Sequence, residues 1–330
     1  MKTILVDIQG IKKYYEVRAG ILAREQAPVK AVDGVSLKIY RGETLGLVGE
    51  SGCGKSTLAR LIMRLDVPTE GNIYFTGEDI FKLSGKDLKA YRKKVQIIFQ
   101  DPYASLNPRR TAGSTIGEPL IINETYDREG TSSEVARIMD IVGLTREQRD
   151  RYPHEFSGGQ RQRIGIARAI ILKPQMIVAD EPVSALDVSI QAQILNLLKD
   201  LQKEFNLTYM FISHDLSVVR HVSDRIAVMH FGKLVELADN EELYKRPLHP
   251  YTMELLSAVP VPNPGKKSRR WPMQEGEITG TTDGWGKCPF YPRCATKVEI
   301  CDKDEPELKD RGGGHFVACH REGEGYLYQV

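Results

Sequence analysis

Gly49-Glu50-Ser51-Gly52-Cys53-Gly54-Lys55-Ser56-Thr57 is the stretch on which the reading of this chain turns. It satisfies the pattern G-x-x-x-x-G-K-[ST]. Before it runs Thr44-Leu45-Gly46-Leu47-Val48, a short and nearly continuous apolar run suited to a buried parallel strand. After it, Ser56-Thr57-Leu58-Ala59-Arg60-Leu61-Ile62-Met63 reads as a helix. Strand, glycine-rich turn and helix together are the setting a phosphate-cradling loop requires. The glycines let successive backbone N–H groups point inward, and the helix N-terminus adds positive potential. In this reading Gly49, Ser51, Gly52, Cys53, Gly54, Lys55, Ser56 and Thr57 form a nucleotide-phosphate site. Lys55 reaches the β- and γ-phosphates, and Ser56 supplies a hydroxyl to Mg²⁺.

A second half-site follows the same logic. Met176-Ile177-Val178-Ala179 is an apolar strand that ends on Asp180-Glu181-Pro182. Ligands in open α/β sheets sit at the carboxyl ends of the strands. Asp180 is therefore suited to hold Mg²⁺ through water, and Glu181 to polarise an attacking water. An acidic strand end alone would be unremarkable; its pairing with Lys55 carries the argument.

Working outward, Val35 to Tyr40 alternates apolar and polar as a half-buried strand does. Residues 101–160 are more polar and helical, most clearly over Ser133 to Val142. Strand-length apolar runs return at Met176–Ala179 and Tyr209–Ile212, with a helix predicted over Ile190 to Phe205 between them. Strand, helix and strand in series imply right-handed crossovers and a parallel sheet. There is one set of nucleotide motifs and no internal repeat, so the chain reads as a single cassette.

Phe156-Ser157-Gly158-Gly159-Gln160-Arg161-Gln162-Arg163 places a second small-residue turn at a helix start, and so a second anion site. One γ-phosphate does not need two such sites on one chain. Here the chain resembles the ABC ATPase family, whose signature is L-S-G-G-Q, with Phe156 in place of the usual Leu. The resemblance implies a RecA-like α/β P-loop core, an antiparallel β subdomain and a helical subdomain at about 101–160. It also implies that Ser157, Gly158, Gly159 and Gln160 close over ATP held by a partner subunit facing head to tail. Gln100, after Val95-Gln96-Ile97-Ile98-Phe99, resembles the lid glutamine that contacts Mg²⁺ and water and senses the membrane partner. Ser184-Ala185-Leu186-Asp187 resembles the loop that couples the two sites, which assigns Asp187 to the nucleotide interface. His214, after Phe211-Ile212-Ser213, resembles the switch histidine that contacts the γ-phosphate. Tyr15 falls where the family stacks an aromatic ring on adenine, with Tyr14 the competing choice.

The chain has 330 residues, 41% of them apolar and 27% charged, which is the balance of a globular protein with a core of normal size. Its 46 basic and 44 acidic residues nearly cancel, so its surface is not built mainly for polyanions, and no nucleic-acid partner is expected. Asp7 interrupts the apolar start, which makes the N-terminus a poor signal peptide. No apolar run approaches the ~18 residues of a membrane span. Any membrane role must therefore be peripheral, and the resemblance implies the cytoplasmic face of a membrane.

Arg246-Pro247-Leu248-His249-Pro250-Tyr251-Thr252, the Pro- and Gly-rich stretch from Pro260 to Gly286, the insertion at Val17 to Val29 and Asn107-Pro108-Arg109 narrow the resemblance to the dipeptide/oligopeptide importer ATPases. His249-Pro250-Tyr251 reads as a turn before a helix, a family marker without chemistry. The expected domains are an ATPase domain at 1–245 and an importer-type tail at 246–330. The resemblance implies two membrane-spanning permease subunits, a second related ATPase subunit or a second copy of this chain, and, indirectly, an extracytoplasmic substrate-binding protein. Related importers also handle nickel or haem complexes. Soluble non-transport ABC ATPases usually carry two cassettes or a long coiled-coil insertion, and neither is visible here.

Cys288, Cys294, Cys301 and Cys319 cluster in the tail, separated by five, six and seventeen residues. Structural zinc sites usually begin with ligands about two to four residues apart. The wider gaps suit a larger object, and a [4Fe–4S] cluster takes four thiolates. The related importer ATPases carry a similar cysteine set, which suggests such a cluster. Zn²⁺ and unligated or disulfide-bonded cysteines are the alternatives. Cys53 lies inside the phosphate loop and is not expected to be a ligand.

Overall fold

The computed structural model describes residues 2–16, 27–123, 126–258 and 286–321. Most of the Val17–Val29 insertion and nearly all of Pro260–Gly286 lie outside these residues. By contacts, the chain forms two compact units: residues 1–39, 44–81 and 213–330, and residues 40–43 and 82–212.

The first unit begins with β1 (Ile4–Tyr15), β2 (Val29–Tyr40), β3 (Thr44–Val48), α1 (Lys55–Ile62), β4 (Glu70–Phe75) and β5 (Glu78–Asp79). β1, β2, β4 and β5 make a four-stranded sheet in the order β2-β1-β4-β5, and β4 pairs antiparallel with both β1 and β5. Val35, Leu37 and Ile39 are buried while Ser36 and Lys38 are exposed, which is the alternation expected of a sheet with one wet face. This is the antiparallel β subdomain. β3 is buried at all five residues, as its unbroken apolar run requires.

The second unit holds α2 (Gly85–Lys94), β6 (Val95–Ile98), α3 (Ala112–Ile122), α4 (Arg128–Ile141), α5 (Gly158–Ile170), β7 (Met176–Asp180), α6 (Val188–Phe205) and β8 (Thr208–Ser213). Its strands run parallel in the order β8-β7-β6. α3 packs on α4 and α5, so the helical part runs on to Ile170, past the expected bound of about 160. α6 starts on Asp187, whose carboxylate accepts from the Ile190 N–H at 3.0 Å, and ends on Asn206 in the left-handed conformation (φ 52°). It buries Ile194, Leu195, Leu198 and Leu201 on one stripe, each worth ~1.5–3 kcal/mol of apolar burial.

The first unit resumes with α7 (Leu216–Val222), β9 (Arg225–His230), β10 (Lys233–Asp239), α8 (Asn240–Lys245) and α9 (Pro250–Ser257), and closes with β11 (Lys309–Asp310) and β12 (Phe316–Val317). β9 runs parallel to β3, whereas β10 turns back antiparallel on β9. β12 then pairs with β10, through Glu236↔Val317 and Leu237↔Phe316, and β11 with β12. The tail is therefore joined to the strands of the nucleotide core by main-chain hydrogen bonds. Glu236 of β10 is fully buried and satisfied: it accepts from the N–H groups of Leu248 (2.7 Å) and His249 (2.9 Å) and meets His315 Nε2 at 2.7 Å. A buried carboxylate without such partners would cost several kcal/mol, so this site holds the start of α9 and the end of the tail in one register.

The fold is α/β: a RecA-like P-loop core with an antiparallel β subdomain and a helical subdomain. Sequence reasoning assigned no helix at α2, α7 or α8. α2 has a single buried side chain, Tyr91, so its apolar periodicity is too weak to see.

Candidate ATP site

In the first unit the loop from Gly49 to Gly54 links β3 to α1. Gly54 stands at the N-cap of α1 with φ 106°, and a Cβ there would lie 2.0 Å from the Ala31 carbonyl oxygen. A Cβ at Gly49 would lie 2.1 Å from the Met229 carbonyl oxygen. Both positions admit only glycine because the backbone passes so close. Lys55 is buried, and its ammonium donates to the Gly49 and Glu50 carbonyls, each at 2.8 Å. It lies within the curl of the loop, its ammonium held by these main-chain carbonyls. Cys53 is buried in the same loop and its thiol is pushed up by burial, so it is not a reactive thiolate. Ser56 and Thr57 open α1 behind Lys55. His214 directly follows β8 and is exposed.

Tyr15 and Tyr14 differ in exposure. The Tyr14 hydroxyl is tied to Asp33. Tyr15 is 37% exposed, its hydroxyl donates to Asp66 at 2.8 Å, and Lys13 Nζ lies 5.0 Å from its ring centre. Tyr14 has Lys30 Nζ 5.3 Å from its ring centre, so both rings are held, and Tyr15 is the more exposed of the two.

The second unit carries the carboxylates and the signature turn. Glu181 follows β7 with φ 46°, a conformation that side-chain-bearing residues rarely adopt. It is held there by its N–H to the Ile212 carbonyl (3.0 Å), and by Ser184, whose N–H (3.3 Å) and hydroxyl (3.1 Å) both donate to the Glu181 carbonyl. Its carboxylate accepts from Gln100 Nε2 at 2.8 Å. Backbone strain held by surrounding bonds recurs at functional sites, though Arg64, Thr76, Lys173, Asn206 and Phe231 share a similar φ. The structure thus brings together Gln100 and Glu181, which lie 81 residues apart.

Ser157 caps α5: its hydroxyl accepts from the Gln160 N–H (3.3 Å), and Gln160 Oε1 accepts from the Ser157 N–H (3.0 Å). This reciprocal pair is a capping box, so Ser157 has a structural role alongside any other. Phe156 is buried, which satisfies the apolar requirement at the position where Leu is usual. A Cβ at Gly159 would meet Ile190 Cγ2 at 2.5 Å, so the turn packs against the first turn of α6. The signature turn and the Asp187 cap therefore lie side by side. Asp187 is held below the usual carboxylate range by hydrogen bonds from Ser189 and Ile190.

In the tail, Cys288, Cys294, Cys301 and Cys319 line one small cavity of about 10 Å³, together with Phe290 and His320. Burial pushes the Cys288 thiol up to about 12 and the Cys319 thiol up to about 11, with the neighbouring cysteines adding to both. Among the described residues, no group of three or more His, Cys, Asp or Glu side chains is gathered so as to hold a metal ion. Nor, among them, is any helix long and apolar enough to cross a membrane.

A phosphate loop at a strand end, a strained acid after a second strand and a capped Ser-Gly-Gly-Gln turn define an ATP-binding cassette. Residues 32–184 match the ABC transporter family model. A dimeric ATP-binding cassette described with bound ADP and Pi in a post-hydrolysis state superposes with a TM-score of 0.64 at 30% identity, over 72% of this chain and 99% of that one. The chain belongs to the ABC transporter family of ATP-binding proteins, in its oligopeptide/dipeptide branch. Residues 235–301 match the oligopeptide/dipeptide transporter C-terminal region. The oligopeptide transport ATP-binding protein AppF of Bacillus subtilis is 53% identical over 318 residues, covering 96% of this chain and 97% of that protein. The dipeptide transport ATP-binding protein DppF of Escherichia coli is 48% identical over 315 residues, covering 96% and 93%.

Proposed function

We infer that this chain binds and hydrolyses ATP as the motor subunit of an ABC importer that takes up dipeptides or oligopeptides through separate membrane subunits. The observation that carries this is the presence, on one chain, of a complete cassette and of the peptide-importer C-terminal region, in a sequence similar to such subunits over 96% of its length. In the proposed mechanism the loop N–H groups and Lys55 hold the phosphates, and Tyr15 stacks on adenine. Ser56, Gln100 and Asp180 would hold Mg²⁺. These are hydroxyl, amide and carboxylate oxygens, the hard donors that ion prefers, and when bound it neutralises charge on the phosphate oxygens. Glu181, steadied by Gln100, accepts a proton from the attacking water. His214 contacts the γ-phosphate. Ser157 to Gln160 and Asp187 meet the ATP of a partner ATPase subunit, which is a second copy or a related chain. The working place is the cytoplasmic face of the membrane, and the residue ranges 1–245 and 246–330 serve as motor and tail.

The test is co-purification with detergent-solubilised permease subunits, followed by ATP turnover in the presence of peptide and its binding protein. Stimulation by dipeptides or oligopeptides is expected. Stimulation by nickel or haem complexes alone would replace the substrate. Failure to co-purify with any membrane subunit would overturn the transport reading, and absence of ATP turnover would overturn the motor role.

For the tail, the same reading includes a [4Fe–4S] cluster on Cys288, Cys294, Cys301 and Cys319. Four thiols that line one cavity, from positions spread over the tail, are a donor set that fits it. Zn²⁺ on the same four thiols is the alternative occupant. Bound, the cluster would cross-link the tail; it takes no part in hydrolysis. Anaerobic purification should yield a brown protein with four irons and labile sulfide per chain. Colourless anaerobic protein with one zinc per chain would refute the cluster.

A further inference from the structure

Glu50, the first variable residue of the phosphate loop, is reached from the C-terminal tail by two side chains. Its backbone N–H donates to the Tyr251 hydroxyl at 2.8 Å. Its carboxylate accepts from Arg293 Nη1 at 2.9 Å, across 243 residues of sequence. The other arm of the guanidinium, Nη2, donates to Glu254 of α9. Arg293 is 13% exposed and Glu254 11%, so this is a largely sheltered pair and not a surface contact. The Glu50 carbonyl, in turn, accepts from the Lys55 ammonium at 2.8 Å. One residue of the loop thus joins the tail on one side and the phosphate-binding lysine on the other.

The tail end of this connection is built into the cysteine lobe. Arg293 precedes Cys294 in a tight turn closed by the Arg293 and Cys294 N–H groups on the Phe290 carbonyl, at 3.1 and 3.0 Å. Cys288 is tied to Cys301 by its N–H on the Cys301 carbonyl at 3.0 Å. The Phe290 ring packs against His230, His249 and Tyr251, with centroids 5.5 to 5.8 Å away. Tyr251 is fully buried, so its hydroxyl must find a polar partner, and the partner it has is the phosphate loop. A loop that binds phosphate through its own N–H groups gains affinity when its curl is set beforehand, because less ordering remains to be done on binding.

We propose that Arg293 and Tyr251 are positioning residues for the phosphate loop, through which the four-cysteine lobe sets the affinity for ATP. The proposal rests on the ATP site assigned above and needs no particular occupant of the cysteine lobe. Equilibrium ATP binding, KM and kcat are measured on the full chain for Arg293→Met, Arg293→Lys, Tyr251→Phe, Glu50→Ala and the double variant Glu50→Ala/Arg293→Met. Arg293→Met should weaken ATP binding roughly tenfold, the change produced by ~1.4 kcal/mol and the usual scale for a charged hydrogen bond. KM should rise in step while kcat stays within about twofold, because binding and not chemistry is disturbed. Arg293→Lys should recover part of the loss. Glu50→Ala removes the Arg293–Glu50 contact but keeps Arg293–Glu254, so it should give part or all of the Arg293→Met loss, and the double variant should be no weaker than Arg293→Met, which already lacks the shared contact.

Lys55→Ala keeps the two readings apart. If the unaltered chain binds no ATP, the ATP site itself is wrong. If it binds ATP, loses it in Lys55→Ala and keeps it in Arg293→Met and Tyr251→Phe, only the positioning role is overturned. Single losses that multiply in the double variant overturn it as well. Should Arg293→Met fail to fold, Tyr251→Phe and Glu50→Ala decide, since each leaves the cysteine turn intact; unchanged ATP affinity in both refutes the proposal.

Discussion

Glu181→Gln is the sharpest test of the hydrolytic step. The substitution keeps the size of the side chain and leaves an amide oxygen to accept from Gln100 Nε2, now 2.8 Å from the carboxylate. The backbone restraints on residue 181, from Ile212 and Ser184, do not involve the side chain and survive. What is lost is the charge and the capacity to take a proton. General-base catalysis contributes about 10² to 10⁴ in rate. That corresponds to ~2.7–5.4 kcal/mol on the barrier at about 1.36 kcal/mol per decade. ATP affinity should stay within about twofold and thermal stability should be unchanged, because no packing or main-chain bond is altered. Phosphate release gives kcat, equilibrium binding gives Kd, and size-exclusion chromatography with ATP should show accumulation of an ATP-bound dimer. Turnover within threefold of the unaltered chain would refute the assignment of Glu181 as the base. A matching loss of ATP binding would place it in the binding site instead.

Gly54→Ala should lower ATP affinity much more than Gly52→Ala, because both carry a strained φ but only at Gly54 would a Cβ also clash, 2.0 Å from the Ala31 carbonyl, while nothing lies within 4 Å at Gly52; equal affinities in a nucleotide-binding assay would contradict the loop geometry. Ser157→Arg should abolish phosphate release while its own chain still binds ATP, and mixing it with Lys55→Ala chains should restore part of the activity; normal turnover by Ser157→Arg alone would end the head-to-tail model. Burial pushes the His230 imidazole down to about 3, with the Arg293 charge adding to it, and the His249 imidazole down to about 4. Both are neutral when folded and take up a proton when unfolded below about pH 6.5, so their contribution is complete above that pH and is lost as the pH falls towards 4, by ~2 kcal/mol each at pH 5. Urea midpoints at pH 7 and 5 should show the drop, and His230→Phe should remove about half of it.

The phosphate loop was legible because it is local. Strand, glycine turn, lysine and helix occupy residues 44–63, and the spacing itself encodes the geometry. β2, β7, α6 and β8 were legible because each has a period or an apolar run that its burial demands. The small-residue turn at the start of α5 was visible for the same reason, and the capping box it forms needs only four consecutive residues. Tyr251 and Arg293 were not visible as parts of the ATP site. His249-Pro250-Tyr251 does open a helix, as its sequence suggests, but nothing in the triplet says that the tyrosine hydroxyl ends on the N–H of Glu50. Glu50 itself is a variable position in the loop pattern, so its side chain carried no signal. Likewise the sequence by itself determined that four cysteines share the tail, while only the folded chain decided that they line one cavity and that the turn between two of them reaches the phosphate loop. The reason is the range of the interactions: motifs record contacts made within a turn or two of backbone, whereas a contact across 243 residues depends on β10, β12 and α9 being packed first.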